Sequence, residues 1–321
     1  MVKLGNTCSD PWPLTCGVPQ GSVLSPMLFN IYMKPLGDVI WGFGVRCHLY
    51  EDYTQLYYSF PPNSKEAAPT LNQCLTAVSS WMRANKLRLN PDKTEALLVS
   101  RGTNWGIGWQ PVLNRVALPL RAQVRSLGVL LDSSLTLKAQ VSAVALSAFA
   151  QLKLVCQLQP YLEKSDLATV VDALVTSRLD YCNALYVGLP VKTVWKFQLV
   201  QRLAARFLTG AGYREHTMPL LKQLHWPPIN CWAQFKVQVL TYKALNGSGP
   251  AYLHDRISPF ELVRALRSSR EALLLLPPPS QVWFMWTRDS AFSAVASHLW
   301  NALPKEIRQS LLGPYSPFVR I

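Results

Sequence analysis

The chain is short of acid. Its 321 residues carry 18 Asp and Glu against 32 Lys and Arg, a formal net charge of +14. The excess is not held in one tail: it is +5 up to Leu131 and +9 from Asp132 onward. A positive surface of that kind suits the phosphate backbone of nucleic acid. Other things are missing too. No uninterrupted apolar run approaches the ~20 residues that span a bilayer, so no membrane is expected as partner. The opening "MVKLGNTCSDPWPLTC" has no long apolar stretch and does not read as a signal peptide. Seven cysteines are scattered with no C-x-x-C and no nearby histidine pair, which argues against zinc. Buried free thiols in a reducing compartment are expected, and with them an intracellular location, nuclear or cytoplasmic. No internal repeat is present.

Hydrophobic residues make up 49% of the chain, enough for a substantial core and two subdomains. In "CGVPQGSVLSPMLFNIYMKPLGDVI", Gly17, Pro19 and Gly21 form an irregular loop. Ser25-Pro26 then reads as an N-cap followed by proline at the first helical position. Apolar residues at helical spacing predict a helix over about 26–40, with Pro35 kinking it or ending its first part. Two β-type runs, Arg46–Tyr50 and Thr54–Tyr58, flank the acidic link Glu51-Asp52-Tyr53 and predict a hairpin presenting carboxylates. A second helix ends near Asn85, and "LRLNPDKTEALLVS" reads as strand, turn, strand. Short strands follow around Val112–Leu118 and Val124–Leu131. Beyond Asp132 the pattern is helical, with candidates over Val141–Cys156, Asp166–Tyr181, Val194–Leu208, Trp232–Leu245 and Ser290–Leu299. "LLLLPPPSQVWFMW" supplies a rigid Pro-Pro-Pro connector between the last two. The fold class expected is α+β.

Two motifs carry chemistry. In "GVPQGSVLSP" the glycines let backbone approach a ligand, Gln20 can bind a base or sugar edge, and a helix N-terminus follows. The hairpin supplies Asp52. "GVPQGSVLSPMLFNIYMKPLG" followed by "YEDYTQLYYSF" resembles the reverse transcriptases of non-LTR retrotransposons, the long interspersed elements. The resemblance continues through "SSWMRANKLRLNPDKTEALLV", "SLGVLLD", "SRLDYCNALYVGLP", "LAARFLTG" and "AFSAVASHLWNALP", covering nearly the whole chain.

The resemblance implies a partial right-hand polymerase palm over 1–131, a thumb-like helical region over 132–210 and a C-terminal helical region over 211–321. It implies that Gln20, Gly21 and Ser22 lie against template and incoming nucleotide. Asp52 is then the remnant of an acidic pair that ligates Mg²⁺, and Lys93 stands near the triphosphate. "SLGVLLD" falls where the primer end is gripped.

The pattern departs from the family at two points. Tyr53 stands where the second aspartate belongs, and a neutral phenol (pKa about 10) does not supply that charge. In a regular strand Glu51 would face away from Asp52. The family's earlier metal-binding palm strand is expected to lie outside this chain, because only 16 residues precede Gly17. Two-metal phosphoryl transfer needs carboxylates for both ions. The expectation is a fragment of an ancestral RNA-directed DNA polymerase, inactive as this chain, with no metal bound productively. The alternatives are a metal-independent RNA or DNA binder, or a retroelement remnant without selected function. Binding to RNA or DNA is expected to be weak and backbone-mediated. The basic residues for it are Lys192, Lys196, Arg202 and Arg206, paired at i,i+4 on one helix, with no requirement that the two pairs share a face. Self-association through surface left uncovered is a further expectation.

Overall fold

The computed structural model describes all residues except 1–2, 11–12, 14–16, 18–20, 62, 101–107, 261–271, 278–290 and 312–321. Helix and strand are mixed, as expected, and the chain divides into two compact units, Met1–Val124 and Arg125–Ile321.

In the first unit, α1 (Ser25–Trp41) and α2 (Ala67–Ala84) pack on a hairpin of β3 (Arg46–Tyr50) and β4 (Tyr53–Tyr57). Met33, Leu36 and Ile40 from α1 meet Cys74, Val78 and Met82 from α2, a periodic stripe from each helix. Cys47, Leu49 and Leu56 close that core from the inner face of the hairpin. Alternate residues of a strand face opposite ways, so Arg46, His48, Tyr50, Tyr53, Gln55 and Tyr57 share the outer face. Short strands complete the unit: β1 (Lys3–Leu4) pairs antiparallel with β2 (Thr7–Cys8), β6 (Val112–Leu113) antiparallel with β7 (Val116–Ala117), and β5 (Ala96–Leu97) in parallel with β8 (Leu120–Arg121). The Asn72 side chain accepts from the Val112 N–H at 2.8 Å and ties the β6 (Val112–Leu113) segment to α2.

Several local expectations are corrected. Ser25 is not the N-cap but the first residue of α1. The N-cap is Leu24, which makes no side-chain cap bond; Ser22 Oγ, two residues before it, accepts from the Ser25 N–H at 3.2 Å and lies 2.6 Å from its hydroxyl. Pro35 neither ends nor interrupts α1. Its missing N–H orphans only the Ile31 carbonyl, and both residues lie on the exposed side of the helix, where water can serve. Leu87–Asn90 forms no strand. The expected turn is present as a 3₁₀ turn, Pro91–Lys93, closed by the Asn90 side chain accepting from the Asp92 N–H.

The boundary between the units falls within β9 (Gln123–Ser126), which pairs with β10 (Val129–Asp132) and is followed by α3 (Lys138–Leu158). The predicted helix over 166–181 is divided into α4 (Lys164–Val171), a π turn (Asp172–Thr176) and α5 (Ser177–Asp180). Then come α6 (Val191–Thr209), α7 (Thr217–Gln223), α8 (Ile229–Leu245) and α9 (Ala251–His254), with a further helix at Phe292–Asn301. The main core gathers Val141, Ala145, Ala148, Leu152 and Val155 of α3 with Phe197, Val200 and Ala204 of α6. Gly210, at φ 71°, gives α6 the left-handed cap that its "LTG" ending calls for.

The later motifs have structural work to do. The Tyr181 hydroxyl donates to the Leu127 carbonyl at 2.5 Å, and its ring lies 3.4 Å from where a Cβ on Gly128 would stand. Asp180 pairs with Lys236 at 3.0 Å and accepts from Asn183, while Tyr186 packs its edge on Phe197. The fully buried Trp300 donates its indole N–H to the Ala272 carbonyl, and Asn301 bonds both backbone groups of Leu274.

Two compositional expectations also change. By length and composition, Lys138–Tyr161 is one helical span capable of crossing a membrane, although no unbroken apolar run reaches that length. Gln140, Ser142, Ser147 and Gln151 interrupt the run without lowering its mean hydropathy of 1.5 very far. One face of that span is the core face of the second unit. The cysteines among the described residues are free, but of these only Cys74 is buried, and Cys8, Cys156 and Cys231 are exposed. Cys16 and most of the Pro-Pro-Pro connector lie outside the described residues.

Candidate functional site

Two places gather the residues singled out by sequence: the tip of the β3–β4 hairpin and the outer face of α6. At the hairpin the register pairs Tyr50 with Tyr53, leaving a two-residue loop of Glu51 and Asp52. Such a loop needs positive φ at its first position, and Glu51 has φ 50°. The Glu51 N–H donates to Asn30 Oδ1 at 3.3 Å, which tethers the loop to α1. The strand argument about Glu51 is therefore corrected. Glu51 and Asp52 lie in the turn, not in a strand, and both side chains are exposed at the tip. Tyr53 begins β4 on the outer face of the hairpin.

Asn30 is a positioning residue that sequence reading overlooked. It sits on a helix whose apolar stripe drew attention to its other face.

The remaining predicted residues are spread out. Gly21 has φ 86°, a conformation that favours glycine, and among the described residues beyond its chain neighbours no atom lies within 4 Å of a Cβ built there. Ser22 is engaged in capping α1. Gln20 lies outside the described residues. Lys93 is exposed on its 3₁₀ turn. Among the described residues no group of three or more His, Cys, Asp or Glu side chains could hold a metal ion. Asp52 and Glu51 do not by themselves fit a two-metal centre, which needs carboxylates converging on both ions.

On α6 the geometry is more convergent than predicted. The helix is unbroken from Val191 to Thr209, so its residues advance about 100° each. Lys192, Trp195, Lys196, Leu199, Arg202, Leu203 and Arg206 then fall within roughly 120° of arc. The two basic pairs share one face. Arg202 lies over the Trp195 ring, 4.4 Å from its centroid, and Arg206 lies over Tyr213 at 5.6 Å. Lys196 Nζ donates to Ser142 Oγ on α3 at 2.8 Å, and Arg206 donates to the Glu215 carbonyl at 3.0 Å. Among the described residues none of the four cations has a carboxylate partner. Trp195 and Tyr213 were missed from sequence. The seven-residue step from Trp195 to Arg202 was the available signal for the first, and the loop bearing Tyr213 offered none.

Comparison with known proteins bears on the first unit most directly. Residues 3–131 match the family model described as reverse transcriptase (RNA-dependent DNA polymerase). A probable RNA-directed DNA polymerase from transposon BS of Drosophila melanogaster is 30% identical over 158 residues, 48% of this chain and 17% of that protein. A probable RNA-directed DNA polymerase from transposon X-element of the same fly is 25% identical over 281 residues, 84% of this chain and 29% of that protein. The chain thus spans less than a third of the length of either curated relative. No solved structure matches it significantly. Over residues 3–131 the chain is similar to the reverse transcriptase family, and over longer stretches to polymerases of two fly transposons.

Proposed function

We propose that this chain is a retrotransposon reverse transcriptase segment that holds nucleic acid without completing a catalytic metal centre. The observation that carries the binding half is the α6 face, where four cations without described carboxylate partners lie within about 120° of helix arc. Phosphate contacts of that kind release counterions and read no sequence. The catalytic half rests on the hairpin. Enzymes of this family use Mg²⁺, but the loop here offers Asp52 and Glu51 with Tyr53 in place of a further acid. In the polymerase frame, residues 1–131 are a partial palm, 132–210 a thumb and 211–321 the C-terminal region. Gly21, Ser22 and Lys93 then line a nucleotide path whose remaining carboxylates another segment or chain must supply. Such a role places the protein inside the cell, in nucleus or cytoplasm.

The exposed apolar stripe of Val23, Leu24, Met27, Leu28 and Ile31 at the start of α1 supports self-association.

The test of binding is an anisotropy titration with labelled single-stranded RNA at 50 mM salt, in EDTA and again in Mg²⁺. Affinity is expected to be the same or slightly weaker with Mg²⁺, because the ion competes for phosphate and bridges nothing in the protein. Binding that needs Mg²⁺ and vanishes in Asp52→Ala would show that the hairpin holds a working ion.

A further inference from the structure

We infer that the α6 face is a stacking platform for single-stranded nucleic acid, on which Trp195 and Tyr213 take unstacked bases. This deepens the binding role proposed above and rests on it. The two rings lie on α6 and on the loop that follows, and each has an arginine guanidinium over it. Trp195 is 43% exposed and Tyr213 86%, so most of the tyrosine ring is open to solvent. An aromatic ring beside a cation offers a base a π surface and its phosphate a positive charge at once. Lys192, exposed one turn before Trp195, extends the charge along the face.

The arginines carry a second signal. The Nε atoms of Arg202 and Arg206 are both buried with no hydrogen-bond partner among the described residues. A donor hidden from water and left unpaired is unfavourable. A guanidinium that swings from its ring toward a phosphate presents Nε–H and Nη–H together, the fork that suits an oxyanion. Arginine then exchanges its place on the ring for a phosphate, and a base takes the ring face it leaves.

The strand is single because a duplex keeps its base faces stacked and presents only edges and backbone. A lipid surface is the competing partner for a helix face of Lys, Arg, Trp and Leu. Against it, the cations alternate with the apolar residues around one arc of α6, whereas a membrane-surface helix separates an apolar face from a charged one.

The experiment compares a labelled 12-nucleotide RNA with a blunt RNA duplex of the same sequence, for wild type, Trp195→Ala/Tyr213→Ala and Trp195→Phe/Tyr213→Phe. Wild type should prefer the single strand. The alanine pair should lose about tenfold or more in single-strand affinity, the scale of one stacked base. Its duplex affinity and the salt slope of its binding should be unchanged, and the phenylalanine pair should restore most of the loss. Both side chains are exposed, so unchanged melting of the alanine pair is expected and checks that it folds. Equal losses on both RNAs, or no loss on either, overturns the platform while leaving backbone binding in place. Failure of wild type to bind either RNA at 50 mM salt overturns the binding role as well. Preference for vesicles of phosphatidylcholine and phosphatidylserine over either RNA assigns the face to membrane instead.

Discussion

Asp132→Ala is expected to lower the stability of the second unit by about 3 kcal/mol, the net scale of hydrogen bonds to a charged acceptor. The carboxylate organises the whole turn from β10 into α3. Its Oδ1 accepts from the N–H groups of Ser134 and Thr136 at 3.1 and 3.0 Å. Its Oδ2 accepts from the Thr136 hydroxyl at 3.1 Å and the Leu137 N–H at 2.8 Å. Those bonds hold two leucines in left-handed backbone, Leu135 at φ 51° and Leu137 at φ 54°. Each costs on the order of 1–2 kcal/mol that only the surrounding bonds offset. Leu137 is itself part of the main core, so a relaxed turn withdraws a buried side chain as well. Asp132→Asn keeps one oxygen as an acceptor and should cost roughly half as much. Urea melts of the three proteins measure the difference. A loss below about 0.5 kcal/mol in Asp132→Ala, the scale of an ordinary surface change, would mean that the turn is held by something else.

Replacing Lys192, Lys196, Arg202 and Arg206 together by glutamine should remove most of the salt dependence of RNA binding. On a single strand each neutralised phosphate contributes about 0.7 to the slope of log K against log salt. Four contacts therefore set a loss of up to about 2.8 in that slope, and about two to three decades in affinity at 50 mM salt. Lys196 and Arg206 already donate to Ser142 and to the Glu215 carbonyl, so they exchange those bonds for phosphate and yield less than the full increment. Lys153→Gln, on the exposed side of α3, is the matched control and should change the slope by no more than one contact. An unchanged slope in the quadruple variant would move the binding surface away from α6.

How much of this was legible in the sequence depended on the range of the forces involved. Periodic stripes fix which helices form and which face they bury, so α1, α2, α3, α6 and α8 could be read from spacing alone. The β3–β4 hairpin was legible because two β-type runs flank a link too short for anything else. What escaped was set by single side chains acting at a distance of a few residues. Ser22 Oγ serves the Ser25 N–H where Ser25 was expected to be the cap, and the residues before the expected Asn90-Pro91 turn form no strand. The placement of Glu51 depends on hairpin register, and a shift of one residue would return it to a strand. The candidate binding face divides in the same way. Its four cations follow from i,i+4 spacing, and their union on one face needs only that α6 be unbroken. The Arg206–Tyr213 contact depends on how the chain turns after Gly210, which no local pattern announces.

The claim that this chain does not complete a polymerase centre is tested most directly by primer extension. Purified protein is given oligo(dT) annealed to poly(rA), dTTP, and Mg²⁺ or Mn²⁺. In-line phosphoryl transfer with two ions needs carboxylates placed to hold both. The described residues converge on no such group, and a phenol stands at position 53 where a further carboxylate would be needed. No product above background is expected. Tyr53→Asp should fare no better, because an acid restored beside Asp52 and Glu51 still gives only a cluster at the hairpin tip, whereas two ions need carboxylates converging from more than one element. Extension by the unmodified chain that disappears in Asp52→Ala would contradict the account.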